Sequence, residues 1–248
     1  MKTPEKVIKK IKLKEWTYKP YSVQSWGSWL HKISPYVGRI KSAFAHFLIE
    51  AVTEPNDLIL DPFCGIGTIP TEAALMGRKS IGVDLNPYAY YITKSKTDSK
   101  RDKEILINYL KKIKIDISKI DLTNIPDWVK EYYNQTTLKE ILFLREKLKK
   151  DKQYFFLGNL IGISQGHRVG HLSKPCAWTL PYKPRKGDLG EYREVIPRLV
   201  KKIERSYKES FSEMSEMKAY LADARKLPIE DCSVDHVISS PPYYDTLD

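Results

Sequence analysis

Cysteine is nearly missing. The 248 residues hold three, Cys64, Cys176 and Cys232, far apart and without paired spacing, which indicates neither a disulfide framework nor a zinc site. No run approaches the roughly 18 apolar residues of a membrane span, and the Lys-rich N-terminus has no continuous apolar core of the kind a signal peptide needs. A cytoplasmic protein is therefore expected. No internal repeat is present. No glycine loop is followed by Gly-Lys-Ser/Thr, and none carries the third glycine of the dinucleotide fingerprint. Gln and Met are scarce beside plentiful Lys, Glu and Ile, a compositional lean towards a thermophilic source. Acidic residues are in the minority, with 31 Asp+Glu against 42 Lys+Arg and a formal net charge of +11. Such an excess favours a polyanionic partner, nucleic acid first; the bland alternative is a soluble basic protein.

Two loops stand out against this background. Ser239-Ser240-Pro241-Pro242-Tyr243-Tyr244 follows an apolar run, Val234 to Ile238, and reads as a rigid loop at a strand's carboxyl end. The prolines fix φ, remove two donors and restrict the residues before them. Rigid carbonyl acceptors beside an aromatic ring suit a flat base that carries an amino group. The other loop is Asp61-Pro62-Phe63-Cys64-Gly65-Ile66-Gly67-Thr68, between the apolar run Leu58 to Leu60 and a helical pattern from Ile69 to Met76 that stops at Gly77. Strand, glycine loop and helix start together let a ligand approach the backbone closely and meet free N–H groups. A second strand, Lys79 to Val83, ends in Asp84, where doubly wound sheets hold a ribose diol. The glycine loop with Asp84 points to a nucleoside-containing cofactor without a pyrophosphate; the alternative for Asp84 is a solvated strand-end carboxylate.

At this length the chain makes one good-sized domain, or a domain with an insertion. Residues 1–30 are basic, with Trp16, Tyr18, Tyr21, Trp26 and Trp29 interleaved. They fit an arm lying on phosphates and bases, and equally a segment whose aromatics pack on the core. Residues 42–53 have helical spacing with Ser42 as cap, and His46 on that helix reads as a surface or core histidine. Asn86-Pro87 opens another helix to about Lys96. A polar insertion, about 99–216, reads as helices near 102–113, 126–133, 137–150, 153–164 and 191–214. Lys149-Lys150-Asp151-Lys152 within it reads as a solvated helix end. Gly/Pro-rich loops at 165–187 carry Arg168, Lys183, Arg185 and Lys186, candidates for phosphate contacts or base-edge readout. His167, His171 and Cys176 lie close in sequence, but the flanking glycines argue against a helical metal-ligand pair, and no metal is expected. The third strand is Ala219 to Leu221, leading into Asp223, and the fourth is Val234 to Ile238. Parallel strands alternating with helices predict an α/β, doubly wound, mostly parallel sheet.

The motif Asp61 to Thr68, taken with Ser240-Pro241-Pro242-Tyr243, resembles the S-adenosylmethionine-dependent DNA amino-methyltransferases, and the serine in the catalytic loop resembles their cytosine-N4 branch. Ser34-Pro35-Tyr36-Val37-Gly38-Arg39 resembles the segment that closes over the methionine end of the cofactor. Ala222-Asp223-Ala224-Arg225-Lys226-Leu227-Pro228 resembles the turn whose Asp meets the adenine ring. The resemblance covers about 31–98 and 217–245 and implies a Rossmann-like methyltransferase core over 31–98 and 217–248, with strand order 3-2-1-4. The basic arm at 1–30 and the insertion at 99–216, a candidate DNA-contacting region, lie outside that core.

It implies S-adenosylmethionine as cofactor, with Asp84 on the ribose, Asp223 on the adenine amino group, and Gly65 and Gly67 allowing close approach. Asp61 shapes the loop, and Tyr36, Phe63 and Thr68 complete the cofactor set. The Ser240 side chain and the Pro241 carbonyl would accept the amino hydrogens of cytosine, Pro242 would stiffen the loop, and Tyr243 would stack on a base flipped out of duplex DNA. Neither a metal nor a covalent intermediate is required, and Cys64 and Cys232 are not needed as nucleophiles. A place in a restriction-modification system belongs to the same resemblance. Relatives continue past the Ser-Pro-Pro-Tyr loop for a further helix and about three strands, whereas this sequence stops at Asp248. A half-enzyme completed by a second polypeptide, or a truncated remnant, is one alternative. A transfer-RNA guanine-N2 type methyltransferase is another, though such enzymes typically carry Asp where Ser240 stands.

Overall fold

The computed structural model describes residues 4–12, 17–23, 26–97, 102–166, 168, 170–175, 190–206 and 213–243. The chain divides into two compact units, one of residues 1–32, 36–97 and 211–248, the other of 33–35 and 98–210.

In the first unit, apolar runs of strand length become a four-stranded parallel sheet of β1 (Leu58–Asp61), β2 (Lys79–Asp84), β3 (Met217–Leu221) and β4 (His236–Val237). Its order, β3-β2-β1-β4, is the one the family resemblance implies. Register pairs Leu58 with Lys79 through Asp61 with Gly82, and Ser80 with Met217 through Asp84 with Leu221. Asp61 and Asp84 are thereby both delivered to the carboxyl edge of the sheet. One face, through Ile59, packs with Ala45, Ile49, Ile69, Ala73 and Ile238. The other, through Leu60, Ile81 and Val83, is covered by Leu227, Ile229 and Val234 from the stretch between β3 and β4.

The helices of this unit are α1 (Pro4–Lys12), α2 (Ser42–Val52), α3 (Thr68–Leu75) and α4 (Pro87–Thr97), with a 3-10 turn at Trp29–Lys32. Pro87 sits at the first position of α4, where its missing N–H costs nothing, and the Asn86 side chain accepts from the Tyr88 N–H at 2.9 Å. α3 ends ahead of Gly77, whose φ of 79° no β-carbon favours. Three of the described aromatics of the N-terminal segment, Tyr21, Trp26 and Trp29, pack inward. Trp29 is buried, Tyr21 meets the Phe47 ring edge-on and Trp26 meets His46 the same way. Tyr18 is exposed, and Trp16 lies outside the described residues.

The second unit contains α5 (Lys103–Lys111), α6 (Asp127–Lys130), α7 (Gln135–Lys150), α8 (Tyr154–Ser164) and α9 (Val195–Ser206). The Asp102 carboxylate caps α5 through the Glu104 N–H at 2.8 Å, and the Asn134 side chain caps α7 through the Thr136 N–H at 2.9 Å. Leu106, Leu110, Leu144, Leu148, Phe155 and Leu160 are buried here, as is the i, i+4 stripe Val195, Leu199 and Ile203 of α9. At Gly162 a β-carbon would lie 2.0 Å from the Ile33 carbonyl oxygen, so only glycine lets residues 33–35 pass this close to α8. No helix among the described residues is long and apolar enough to cross a membrane.

Four expectations are corrected. Ser42 does not cap α2: it is the first helical residue, and its hydroxyl donates to the Trp26 carbonyl at 2.5 Å. The helix expected over 126–133 is a single turn, α6. The helix expected over 191–214 starts only at Val195. Tyr192 is tied to Glu140 at 2.5 Å and the Arg193 N–H to Thr137 at 2.8 Å, while the same Glu140 accepts from the Val195 N–H at 3.0 Å and so caps the helix there. Residues 213–216 are not helical and lead into β3, with the Ser80 N–H donating to the Glu216 carbonyl at 3.0 Å. The fourth strand is shorter than 234–238. The Asp235 carboxylate takes the Leu58 N–H at 2.8 Å and closes the ladder at one end, and the prolines end it at the other.

Candidate active site

The glycine loop between β1 and α3 is held peptide by peptide. The Cys64 N–H donates to the Val83 carbonyl at 3.0 Å and the Gly67 N–H to the Cys64 carbonyl at 2.7 Å. Asp84 closes the arrangement from β2: one carboxylate oxygen accepts the Gly65 N–H at 2.7 Å and the other the Asn86 N–H at 2.8 Å. A carboxylate has about four lone-pair positions, so both oxygens keep acceptor capacity for a ligand. Gly65 and Gly67 have φ of 51° and 73°, a region L side chains rarely enter. A β-carbon on Gly65 would lie 3.1 Å from the Tyr36 ring. Tyr36 stacks on Tyr88 with centroids 6.1 Å apart, and burial, then the Asp84 charge, raise the pKa of its hydroxyl. Thr68 is buried at the start of α3, and Phe63 is largely exposed.

Asp61 joins this loop to the one after β4. Its carboxyl accepts from the Ser239 hydroxyl at 2.7 Å and from the Phe63 N–H at 3.2 Å. Only 2% of Asp61 is exposed, and burial, outweighing those two hydrogen bonds, pushes its pKa up to about 7. The adjacent Ser240 is half-buried, and Pro241, Pro242 and Tyr243 are exposed. Asp223 follows β3, one residue after Ala222, whose N–H donates to the Asp84 carbonyl at 3.1 Å. Arg225 grips the Asp223 carboxylate in a fork of 2.6–3.1 Å and holds its pKa down at about 2. Asp84 and Gly65 are thus bonded directly and Tyr36 lies beside Gly65, while Asp61 reaches the same loop through Phe63 and Gly67 through Cys64; Asp223 is tied in through its neighbour Ala222, and Ser240 through Ser239. Of the candidates for nucleic-acid contact, Arg168 is exposed in the second unit; Lys183, Arg185 and Lys186 lie outside the described residues, as do His167 and Cys176.

Several supporting residues escaped the sequence pattern. Ser239 is one. Thr93 and Lys96 on α4 are others, their side chains lying on loop carbonyls. A third group sits on α3: the buried Glu72 accepts from His31 at 2.5 Å and from His46 at 3.0 Å. Burial works against its charge, but the two histidine hydrogen bonds win and hold the carboxyl near a pKa of about 2. The Arg39 guanidinium caps the His31 carbonyl. His46 is therefore a structural partner of Glu72. Cys64 is buried and its thiol pKa is raised, by burial first and then by Asp61. No group of His, Cys, Asp and Glu among the described residues could hold a metal ion.

Residues 6–95 match the model of a family described as DNA methylase. That match starts within α1, so the basic N-terminal segment is part of it. Over 88 residues the chain is 33% identical to the Type II methyltransferase M.MjaII of Methanocaldococcus jannaschii. The aligned part makes up 34% of this chain and 17% of that protein, so the chain spans less than a fifth of its relative's length.

Proposed function

We propose, on the match of residues 6–95 to the DNA methylase family model and on the geometry of the loop, that the chain binds S-adenosylmethionine at the carboxyl ends of β1 and β2. We propose further that it transfers the methyl group to the exocyclic N4 amino group of cytosine in duplex DNA. The observation that carries the reading is the Asp84 carboxylate, fixed by the Gly65 and Asn86 N–H groups beside a loop whose two glycines hold φ of 51° and 73°. Those residues fit a nucleoside: a diol for the carboxylate, and a close backbone approach with no phosphate to grip. When bound, the cofactor supplies a methyl group already activated on a sulfonium.

The remaining work falls to the chain. Asp84 accepts from the ribose hydroxyls, Tyr36 covers the methionine end, and Asp223 shares its carboxylate between Arg225 and the adenine amino group. The amino nitrogen of cytosine is a poor nucleophile because its lone pair is delocalised into the ring. The Ser240 side chain and the Pro241 carbonyl accept its two hydrogens, draw it towards tetrahedral geometry and free the lone pair. Tyr243 stacks on the flipped base. Catalysis is then chiefly positioning, and the Asp61–Ser239 hydrogen bond ties the cofactor loop to the base-binding loop. The test is methyl transfer from labelled cofactor to duplex DNA, followed by nucleoside analysis. Label in N4-methylcytosine is expected; label in methyladenine overturns the base assignment, and label confined to transfer RNA overturns the DNA reading.

A second reading has its own observation. Among the described residues β4 pairs only with β1, and Val237 is 61% exposed. Such an edge is a template for a further strand. In this reading a segment from another polypeptide pairs with β4 and raises a low activity. Full activity from the 248-residue chain alone overturns it.

A further inference from the structure

Lys96 is a fully buried lysine, 1% exposed, in a class of side chain almost never found there without a specific partner. Its Nζ donates to the Ile66 carbonyl at 2.5 Å. One helical turn earlier on α4, the Thr93 hydroxyl donates to the Gly65 carbonyl at 3.0 Å. Two adjacent carbonyls of the glycine loop are therefore taken by two side chains on one face of one helix.

A trans peptide is planar, with its C=O and N–H pointing in opposite directions. Fixing the Gly65 carbonyl on Thr93 therefore aims the Ile66 N–H the other way. Fixing the Ile66 carbonyl on Lys96 likewise sets the Gly67 N–H, which meets the Cys64 carbonyl. With Asp84 on the Gly65 N–H, every peptide plane from Cys64 to Gly67 is held at one edge or both. Among the described residues the Ile66 N–H alone of these three has no acceptor.

We propose that Thr93 and Lys96 are positioning residues of the cofactor loop, which hold its peptide planes so that the Ile66 N–H is presented to S-adenosylmethionine. The inference rests on the proposed function. Neither side chain needs to touch the cofactor; both act through the backbone. A plain packing role makes a different forecast, because the Thr93 methyl also fills space beside Gly67, whose added β-carbon would lie 2.7 Å from it. Packing predicts that shape matters at position 93, whereas positioning predicts that the hydroxyl matters.

The experiment is calorimetric titration of the full chain with S-adenosylmethionine, wild type against Thr93→Val, Thr93→Ser and Lys96→Met, with thermal unfolding of each. Thr93→Val keeps the shape and loses the donor, and it is expected to raise Kd about tenfold or more. Thr93→Ser keeps the donor and retains most of the affinity. Lys96→Met replaces a buried amine with an apolar chain of similar length and removes the donor, so its unfolding midpoint is expected to stay level or rise while its Kd rises about tenfold or more. Unchanged Kd in Thr93→Val or Lys96→Met, with the wild type binding, overturns the inference alone. So does a Thr93→Ser loss larger than that of Thr93→Val. No binding by a folded wild type overturns the proposed function, and the inference with it.

Discussion

Replacing Asp61 with asparagine separates the carboxyl's charge from its hydrogen bonds. The asparagine side-chain oxygen can still accept from the Ser239 hydroxyl and the Phe63 N–H, the two bonds Asp61 makes now, but it cannot ionise. Asp61 has a folded pKa of about 7, against ~3.9 in an unfolded chain. Between those values the native state keeps a proton that the unfolded state has released, so wild-type stability falls as pH rises through that window. At about 1.4 kcal/mol per pH unit over some three units, the loss from this group is roughly 4 kcal/mol by pH 7, with no further slope above about pH 8. The asparagine variant has no such slope. The stability of Asp61→Asn minus that of wild type is expected to climb by that amount from pH 4 to 7 and then level off. Urea unfolding of both proteins across about pH 4 to 8.5 measures it. A difference that stays constant with pH refutes the reasoning, since it means the buried carboxyl ionises as freely as in the unfolded chain.

Asp84→Ala should deprive S-adenosylmethionine of two charge-assisted hydrogen bonds, each ~1.5–3 kcal/mol, and so weaken binding at least about 100-fold by calorimetry. Gly67→Ala forces a β-carbon onto Thr93 at a φ of 73°. The expected cost is about 2–4 kcal/mol, from left-handed strain and overpacking together, seen as a lower urea midpoint. Association with duplex DNA should weaken steeply between low and physiological salt, in keeping with a net charge of +11, as a linear fall of log affinity against log salt. An affinity that ignores salt counts against a phosphate-contacting surface.

Where the fold could be read from residue order alone, short-range physics decided it. The run from Leu58 to Lys96 announces strand, glycine loop, helix, strand and helix because short apolar runs give way to helical patterns at the glycines and at Asn86-Pro87. The strand order came through resemblance, not from any local pattern. Errors arose where a distant partner outbid a local preference. Ser42 has the residue type of a cap, but its hydroxyl belongs to Trp26. Residues 191–194 carry a helical pattern, but Thr137 and Glu140 hold them out of the helix. Aromatics spaced along a Lys-rich segment suit a nucleic-acid arm and a core-packing strap equally; His46 and Phe47 decide for Tyr21 and Trp26. At the site, Asp61, Gly65, Gly67 and Asp84 carried a recognisable pattern because backbone geometry constrains them. Thr93, Lys96, Ser239 and the Glu72–His31–His46 group carried none, since each acts on a partner that only folding brings near.

The central claim is that the loop at Gly65 to Gly67, with Asp84, is a nucleoside-cofactor site of the S-adenosylmethionine kind. Its most direct test is a calorimetric titration of the folded wild-type chain with S-adenosylmethionine, run beside a nicotinamide dinucleotide. Saturable binding of S-adenosylmethionine at one site per chain, with no heat from the dinucleotide, is the predicted result. No binding at millimolar S-adenosylmethionine by a demonstrably folded protein, or preferential binding of the dinucleotide, contradicts it.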